Sequence, residues 1–175
     1  KGMWEMKKEM MIEDWELMCK GLGQMADFLS HNGIYDQNRL PTNAVLAVIA
    51  ALYTITPDSL DLRGICEILF KKYLWSSFFT DRYENSAASN AYSDFRELKH
   101  IVLQQTKEND EPYTEIDVPI FNRNKYPLSS IDGLLQVGWP KRENIRARGV
   151  MAVFSNLGAM DFADGSRLDR QQLLD

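Results

Sequence analysis

Three residues of this chain could form the acidic site that metal-dependent nucleases use. Asp58 follows a proline, and Glu97 and Lys99 form an acid-x-Lys pattern later in the chain. In such nucleases these groups hold a divalent metal and activate water. The same short pattern also occurs at residues 5–7, and both halves fall in segments that look helical. The favoured interpretation is therefore a helix cap at Asp58 and a solvated helix face at Glu97.

Other catalytic groups are scarce in the sequence. The chain has two histidines: His31 lies in a turn that ends a predicted helix, and His100 lies on a polar helix face. Both are interpreted as structural, because a catalytic or metal site needs several convergent groups. The sequence contains no H-E-x-x-H, G-x-S-x-G, P-loop or G-x-G-x-x-G motif. We therefore expect no complete catalytic site, cofactor or metal in this chain.

Residues 71–83 are the most distinctive stretch, because they combine aromatic with basic side chains. Such a stretch can stack on the bases of a nucleic acid strand. It can also join two or three helices in a core through Trp75, Phe78, Phe79 and Tyr83, with Arg82 paired to an acid. Packing is the favoured interpretation, because nothing nearby supplies a basic groove.

The composition argues against several classes of protein. With 175 residues, 45% of them hydrophobic, the chain can build one domain with a core. A net charge of -5 and the lack of a basic stripe argue against an autonomous DNA-binding domain. No apolar run approaches the roughly 20 residues that span a bilayer. Cys19 and Cys66 are predicted to be buried thiols of a reducing compartment, so we expect a cytoplasmic protein.

The first 32 residues predict a long amphipathic helix. Apolar side chains recur at steps of three, four or seven residues and form one stripe, made of Trp4, Met11, Trp15, Met18, Leu22, Met25 and Leu29. The favoured interpretation is that this stripe packs on the rest of the domain. The alternative is an arm that binds another domain or a second copy of the chain, because the spacing also suits a coiled coil.

Helical periodicity along the rest of the chain indicates an all-α, irregular multi-helix bundle. Residues 33–107 are predicted to form its central helical core, with the apolar segment 44–55 as a buried helix. Residues 108–175 are expected to contain C-terminal helices of the same domain. A loop-rich excursion is predicted at about residues 106–127, where three prolines oppose helix formation.

Two blocks of short motifs lie within residues 33–167, with a divergent middle. The first block contains residues 39–41 (RLP), 73–78 (YLWSSF), 82–87 (RYENSA) and 94–98 (DFREL). The second contains residues 148–152 (RGVMA), 158–162 (GAMDF) and 164–165 (DG). The first block resembles the central helical region of GmrSD-like restriction proteins, and the second resembles the passage just before the nuclease motif in the same family. Most of the matching positions, including Trp75, Phe78, Arg82 and Tyr83, are of types that serve packing.

The resemblance implies a larger parent protein. GmrSD-like proteins join a ParB-like nucleotide-binding domain, marked by a D-G-Q-Q-R-type motif, to a histidine-containing HNH-type nuclease. They are implicated in NTP-dependent restriction of modified foreign DNA. Neither signature occurs here, so no catalytic or nucleotide-binding residue is carried over to this chain. NTP and a divalent metal would serve the flanking domains, which are expected before Lys1 and beyond Asp175.

Three functional hypotheses follow from the sequence. The first is a non-catalytic scaffold or connector of a GmrSD-like protein, which positions the nuclease domains and can contact DNA. The second is a stand-alone interaction module that dimerises through the N-terminal stripe. The third is a divergent metal-dependent nuclease that uses Asp58, Glu97 and Lys99. On the first hypothesis the parent protein is the NTP-dependent endonuclease, and this chain is not catalytic alone.

Overall fold

A computed structural model describes residues 8–104, 117–141 and 144–167 of the chain. Within these ranges the fold is all-α, as the sequence pattern predicted, and the only pairing of extended backbone is an isolated bridge between Met160 and Arg167. None of the helices in these ranges is long and apolar enough to cross a membrane. The helices are α1 (Lys8–Glu13), α2 (Trp15–His31), α3 (Ala44–Tyr53), α4 (Leu60–Phe79), α5 (Ala87–Gln104), α6 (Ile131–Leu135) and α7 (Ile145–Leu157), and a 3-10 turn spans Pro119–Phe121.

The predicted N-terminal helix is present from Lys8 onwards, but as the two helices α1 and α2. Asp14 separates them without ending the hydrogen-bond ladder: its N–H donates to the carbonyl of Met10 at 3.0 Å, and its carbonyl accepts from Met18 at 2.9 Å. Every residue from Lys8 to Lys20 is exposed, and the first buried residue of α2 is Gly21. The N-terminal part of this helix therefore stands away from the core.

A glycine sets the distance between α2 and α3. A Cβ atom at Gly21 would lie 2.7 Å from the carbonyl oxygen of Ala50 and 2.8 Å from Cγ2 of Thr54, too close for any residue with a side chain. The helix α3, which makes this contact with Gly21, was predicted to be a buried helix of the central core. Ile49 and Leu52 are fully buried, and α3 also packs against α5.

The second half of α4 lies at the centre of the core. Phe70, Leu74 and Phe78 have no exposed surface, and Leu98 of α5 is equally buried. The 3-10 turn packs against both helices and places Ile120 in the same core. This turn belongs to the predicted loop-rich excursion, so the described part of that excursion contributes to the core.

The helix α7 packs across the end of α4. Gly149 permits this contact, because a Cβ atom there would lie 3.0 Å from Cβ of Phe78. At the other end of α7, Gly33 has a φ of +79°, and a Cβ atom on it would lie 2.7 Å from the backbone nitrogen of Asn156. One hydrophobic core results, with members from Phe28 in α2 to Ala152 in α7.

Candidate functional site

A buried ion pair between Arg82 and Asp94 is the most polar feature of the interior. The side chains are 4% and 0% exposed, and Nε of Arg82 donates to the two carboxylate oxygens of Asp94 at 2.7 and 3.0 Å. Arg82 lies in the turn between α4 and α5, and Asp94 lies on α5. The pair therefore ties that turn to the helix that follows it.

Two tyrosines extend this ion pair into a chain of hydrogen bonds. The hydroxyl of Tyr83 donates to Asp94 at 2.7 Å, and the hydroxyls of Tyr73 and Tyr83 lie 2.8 Å apart. Because the Tyr83 proton is used on Asp94, Tyr73 donates to Tyr83. The backbone N–H of Ile120 also donates to Asp94, at 3.2 Å. The carboxylate thus receives donors from the turn after α4 and from the 3-10 turn.

The remaining faces of Arg82 are also occupied. Its Nη2 donates to the carbonyl of Asn90 at 3.4 Å, and the side chain of Asn90 donates back to the carbonyl of Arg82 at 2.8 Å. The ring of Tyr126 lies over the guanidinium, with its centroid 4.8 Å from Cζ. Burial lowers the pKa of Arg82, but the hydrogen bonds and charge of Asp94 outweigh burial and raise it above the usual value. Arg82 is therefore a permanent cation inside the fold.

A second arginine fastens the 3-10 turn to α4. Arg123 donates through Nη2 to the hydroxyl of Ser76 at 2.9 Å and through Nη1 to the carbonyl of Ile120 at 3.2 Å. Burial lowers the pKa of Arg123 below its usual value. We call the set Tyr73, Ser76, Arg82, Tyr83, Asn90, Asp94, Ile120, Arg123 and Tyr126 the buried polar network.

The geometry of the buried polar network suits a structural role. A catalytic carboxylate must reach substrate, whereas Asp94 is fully buried and surrounded by donors from its own chain. A buried carboxylate with satisfied hydrogen bonds fixes the elements that supply the donors. The sequence pattern indicates Arg82 and Tyr83 and an acid beside Arg82, but it does not single out Asp94 as that acid. The one sequence signal that links them is that Arg82 and Asp94 each begin a motif of the first block, at residues 82–87 and 94–98.

The aromatic residues of the 71–83 stretch lie against one another. Trp75 stacks on Phe79 with centroids 6.2 Å apart and meets Phe78 edge-on at 5.7 Å. Phe78 is fully buried, and Nζ of Lys72 lies 4.7 Å from the ring centroid of Phe121. These rings are used in packing and leave no open stacking surface at Phe78.

The two acidic nuclease candidates, Asp58 and Glu97, have different partners. Asp58 lies just before α4 and accepts from Lys20 at 3.2 Å. Glu97 accepts from Arg96 at 2.8 Å, and Lys99 is exposed on α5. Among the described residues, no three His, Cys, Asp or Glu side chains are grouped so that they could hold a metal ion.

The N-terminal stripe is divided between solvent and core. Leu29 is buried and Met25 is half-buried. In this part the stripe packs on the domain, which is the interpretation that the sequence favours. The other described members are exposed to about half of their surface: Met11 46%, Trp15 57%, Met18 42% and Leu22 44%. Trp4 lies outside the described residues.

One cysteine departs from the sequence-based prediction. Cys66 is buried, and burial raises the pKa of its thiol, but Cys19 is exposed. The prediction of a buried Cys19 was wrong, because the helix that carries it leaves the domain surface before Gly21.

A groove of about 550 Å³ lies between α7 and the loop after α2. Its walls are mostly apolar and include Met151, Phe154 and Met160. Arg148 lines it as well and donates to the carbonyls of Gln37 at 3.0 Å and Asn38 at 2.5 Å. The guanidinium of Arg148 therefore helps to hold the loop in place.

Comparison with known proteins gives this chain no relative: no protein-family model, no curated protein and no solved structure matches it.

Proposed function

We propose that this chain is a non-catalytic helical scaffold, the connector segment of a GmrSD-like DNA restriction protein. One observation carries the proposal. Arg82 and Asp94, which belong to two separate motifs of the resemblance, meet in the buried polar network. The motif residues thus serve to fasten α4, α5 and the 3-10 turn into one body. A rigid body of this kind is what positioning two flanking domains requires.

The charge of the chain also favours a connecting role over autonomous binding of DNA. The net charge is -5, and two of the arginines lie in the buried polar network, where their guanidinium groups already have partners. Contacts with DNA would therefore be secondary and would act together with the flanking nuclease domains. On this proposal the NTP and the divalent metal belong to those domains, and the protein works in the cytoplasm.

A cleavage assay on the full chain tests the proposal. Modified and unmodified DNA would be incubated with the chain, Mg²⁺ or Mn²⁺, and NTP, alongside the variants Asp58→Asn and Glu97→Gln. We expect no cleavage by any of the three proteins, because the acidic groups have separate partners and form no metal cluster in the described residues. Metal-dependent cleavage that is lost in Asp58→Asn or Glu97→Gln would support the nuclease hypothesis instead.

The second candidate function is a protein-interaction module. The observation that favours it is the exposed part of the N-terminal stripe, because large apolar side chains on a projecting helix mark a contact surface. This function is compatible with a connector, since a connector can also assemble copies of its parent.

A further inference from the structure

A helical arm projects from the domain. We define the arm as residues 8–22, in which every residue except Gly21 is exposed. At 1.5 Å per residue the arm is about 20 Å long. Its exposed large apolar side chains are Met10, Met11, Ile12, Trp15, Leu17, Met18 and Leu22. In water, a helix with this much exposed apolar surface is stabilised when another surface covers those side chains.

The apolar residues of the arm have a symmetric spacing. Met11, Trp15, Met18 and Leu22 follow one another at steps of four, three and four residues, so the order of steps is the same read in either direction. The carboxylates of Glu9, Glu13 and Glu16 lie on other faces of the helix. Such a face is complementary to a copy of itself that runs in the opposite direction.

We propose that the arm pairs with the arm of a second copy of this chain, antiparallel, about a twofold axis between residues 16 and 17. In this register Trp15 lies opposite Met18 of the second copy, and Met11 lies opposite Leu22. Contacts of methionine sulfur with an indole ring are favourable, and the flexible methionines adapt to the large ring. The pairing does not depend on the proposed function.

The position of the domain selects the antiparallel direction. Met25 and Leu29 continue the stripe and pack on the domain. The stripe and the domain are therefore on the same side of the arm, and a helix that covers the stripe is on that side too. Paired helices are 8–10 Å apart, whereas a domain of this size has a radius of gyration of roughly 15 Å. A parallel partner would carry its domain into the first one. An antiparallel partner carries its domain at the opposite end of the arm.

The exposed area suits a reversible dimer. The stripe residues Met11, Trp15, Met18 and Leu22, together with Ile12 at the edge of the stripe, expose roughly 500 Å² on each arm. Pairing would therefore bury up to about 1,000 Å² in total, the lower limit for a specific interface. We therefore expect a monomer–dimer equilibrium that shifts with protein concentration.

Analytical ultracentrifugation of the full chain over a range of concentrations tests the pairing. Leu22→Glu places a charge in the stripe, and Leu17→Glu is its matched control. Both leucines are 44% exposed on the same helix, but Leu17 lies about 140° around the axis from Leu22. We expect Leu22→Glu to raise the dimer dissociation constant at least about tenfold and Leu17→Glu to leave it nearly unchanged. A chain that stays monomeric, or equal effects of the two variants, would overturn the proposal.

Disulfide trapping tests the direction of the pairing. The background carries Cys19→Ser, so that the exposed native thiol does not interfere. In the antiparallel register two copies of position 11 are offset by about 16 Å along the helix axis alone, too far for a disulfide, whereas position 11 faces position 22. We expect Met11→Cys alone to form no cross-linked dimer and a mixture of Met11→Cys with Leu22→Cys to form one. Cross-linking of Met11→Cys to itself would show a parallel pair and contradict the register.

Discussion

At the scale of single residues, the interior of this protein is organised around a carboxylate. Asp94 accepts hydrogen bonds from Arg82, Tyr83 and the backbone of Ile120, and Tyr73 continues the chain of hydroxyls. Leaving any of these groups unpaired in the core costs free energy, because the buried group loses water without gaining a partner. The residues are therefore held in one arrangement, and the elements that carry them are held with them.

The buried tyrosines predict a loss of stability at high pH. Burial is the largest cause that raises the pKa of Tyr53, Tyr73 and Tyr83 above the usual value of 10.0. Because the pKa of these tyrosines is higher in the folded state than in the unfolded state, their contribution to the stability of the fold is complete below about pH 10. That contribution is lost as the pH rises further. An alkaline titration tests this prediction: tyrosinate absorbance measures ionisation of the tyrosines, and far-ultraviolet circular dichroism measures loss of the helices. We expect these tyrosines to ionise only as the helices unfold.

Replacing one hydroxyl provides the control for this titration. Tyr92→Phe changes a tyrosine that is 69% exposed, so it should leave the midpoint of alkaline unfolding unchanged. Ionisation of all seven tyrosines while the helical signal stays intact would contradict the buried hydrogen-bond chain.

The sequence identified only part of this site. An acid was expected beside Arg82, because a buried guanidinium needs a partner. The chain offers 25 acidic residues, and no local rule selects Asp94 among them. The contact of Asp94 with Ile120 spans 26 positions along the chain, so it exists only when α5 and the 3-10 turn have packed together.

At the scale of helices, close approach of α2 and α3 depends on a missing side chain. The sequence shows two glycines in α2, at positions 21 and 23, and helical periodicity treats them alike. In the structure they differ: Gly21 faces Ala50 and Thr54, whereas a Cβ atom at Gly23 would meet nothing within 4 Å. Periodicity predicts a helix and its apolar face, but it does not say what covers each turn of that face.

Alanine substitutions at the two glycines have opposite expected effects. Gly21→Ala forces α2 away from α3 and should destabilise the protein by about 1–3 kcal/mol. Gly23→Ala meets no obstacle and should stabilise it by about 0.5–1 kcal/mol, because alanine restricts the unfolded chain. Chemical denaturation followed by circular dichroism measures both. A stabilising Gly21→Ala would mean that the two helices are not in direct contact.

The N-terminal stripe is another feature whose surroundings periodicity does not predict. The pattern predicted a helix with one apolar face and favoured packing of that face on the domain. Packing holds at Met25 and Leu29, while Trp15 and Met18 are exposed. The helix continues beyond the surface of the domain, and the spacing of its apolar residues is the same in the part that packs on the domain and in the part that does not.

At the scale of the whole molecule, one core joins helices from both ends of the described chain, and an arm extends from it. The all-α class was predictable, because helical periodicity and proline positions are local signals. The role of the excursion was not, since Val118 and Ile120 are buried only through contacts with distant helices. A connector needs this combination of a fixed body and a surface that remains open to a partner.

The free energy of unfolding of Asp94→Asn tests the central claim, that the motif residues serve as a scaffold. The substitution leaves the buried cation of Arg82 without its counter-charge and should cost about 3–5 kcal/mol. Asp81→Asn, at an exposed neighbour, should leave the stability unchanged. A carboxylate kept for binding or catalysis usually lowers stability, so its removal would stabilise the protein. An Asp94→Asn variant as stable as the parent chain, or more stable, would therefore contradict the scaffold.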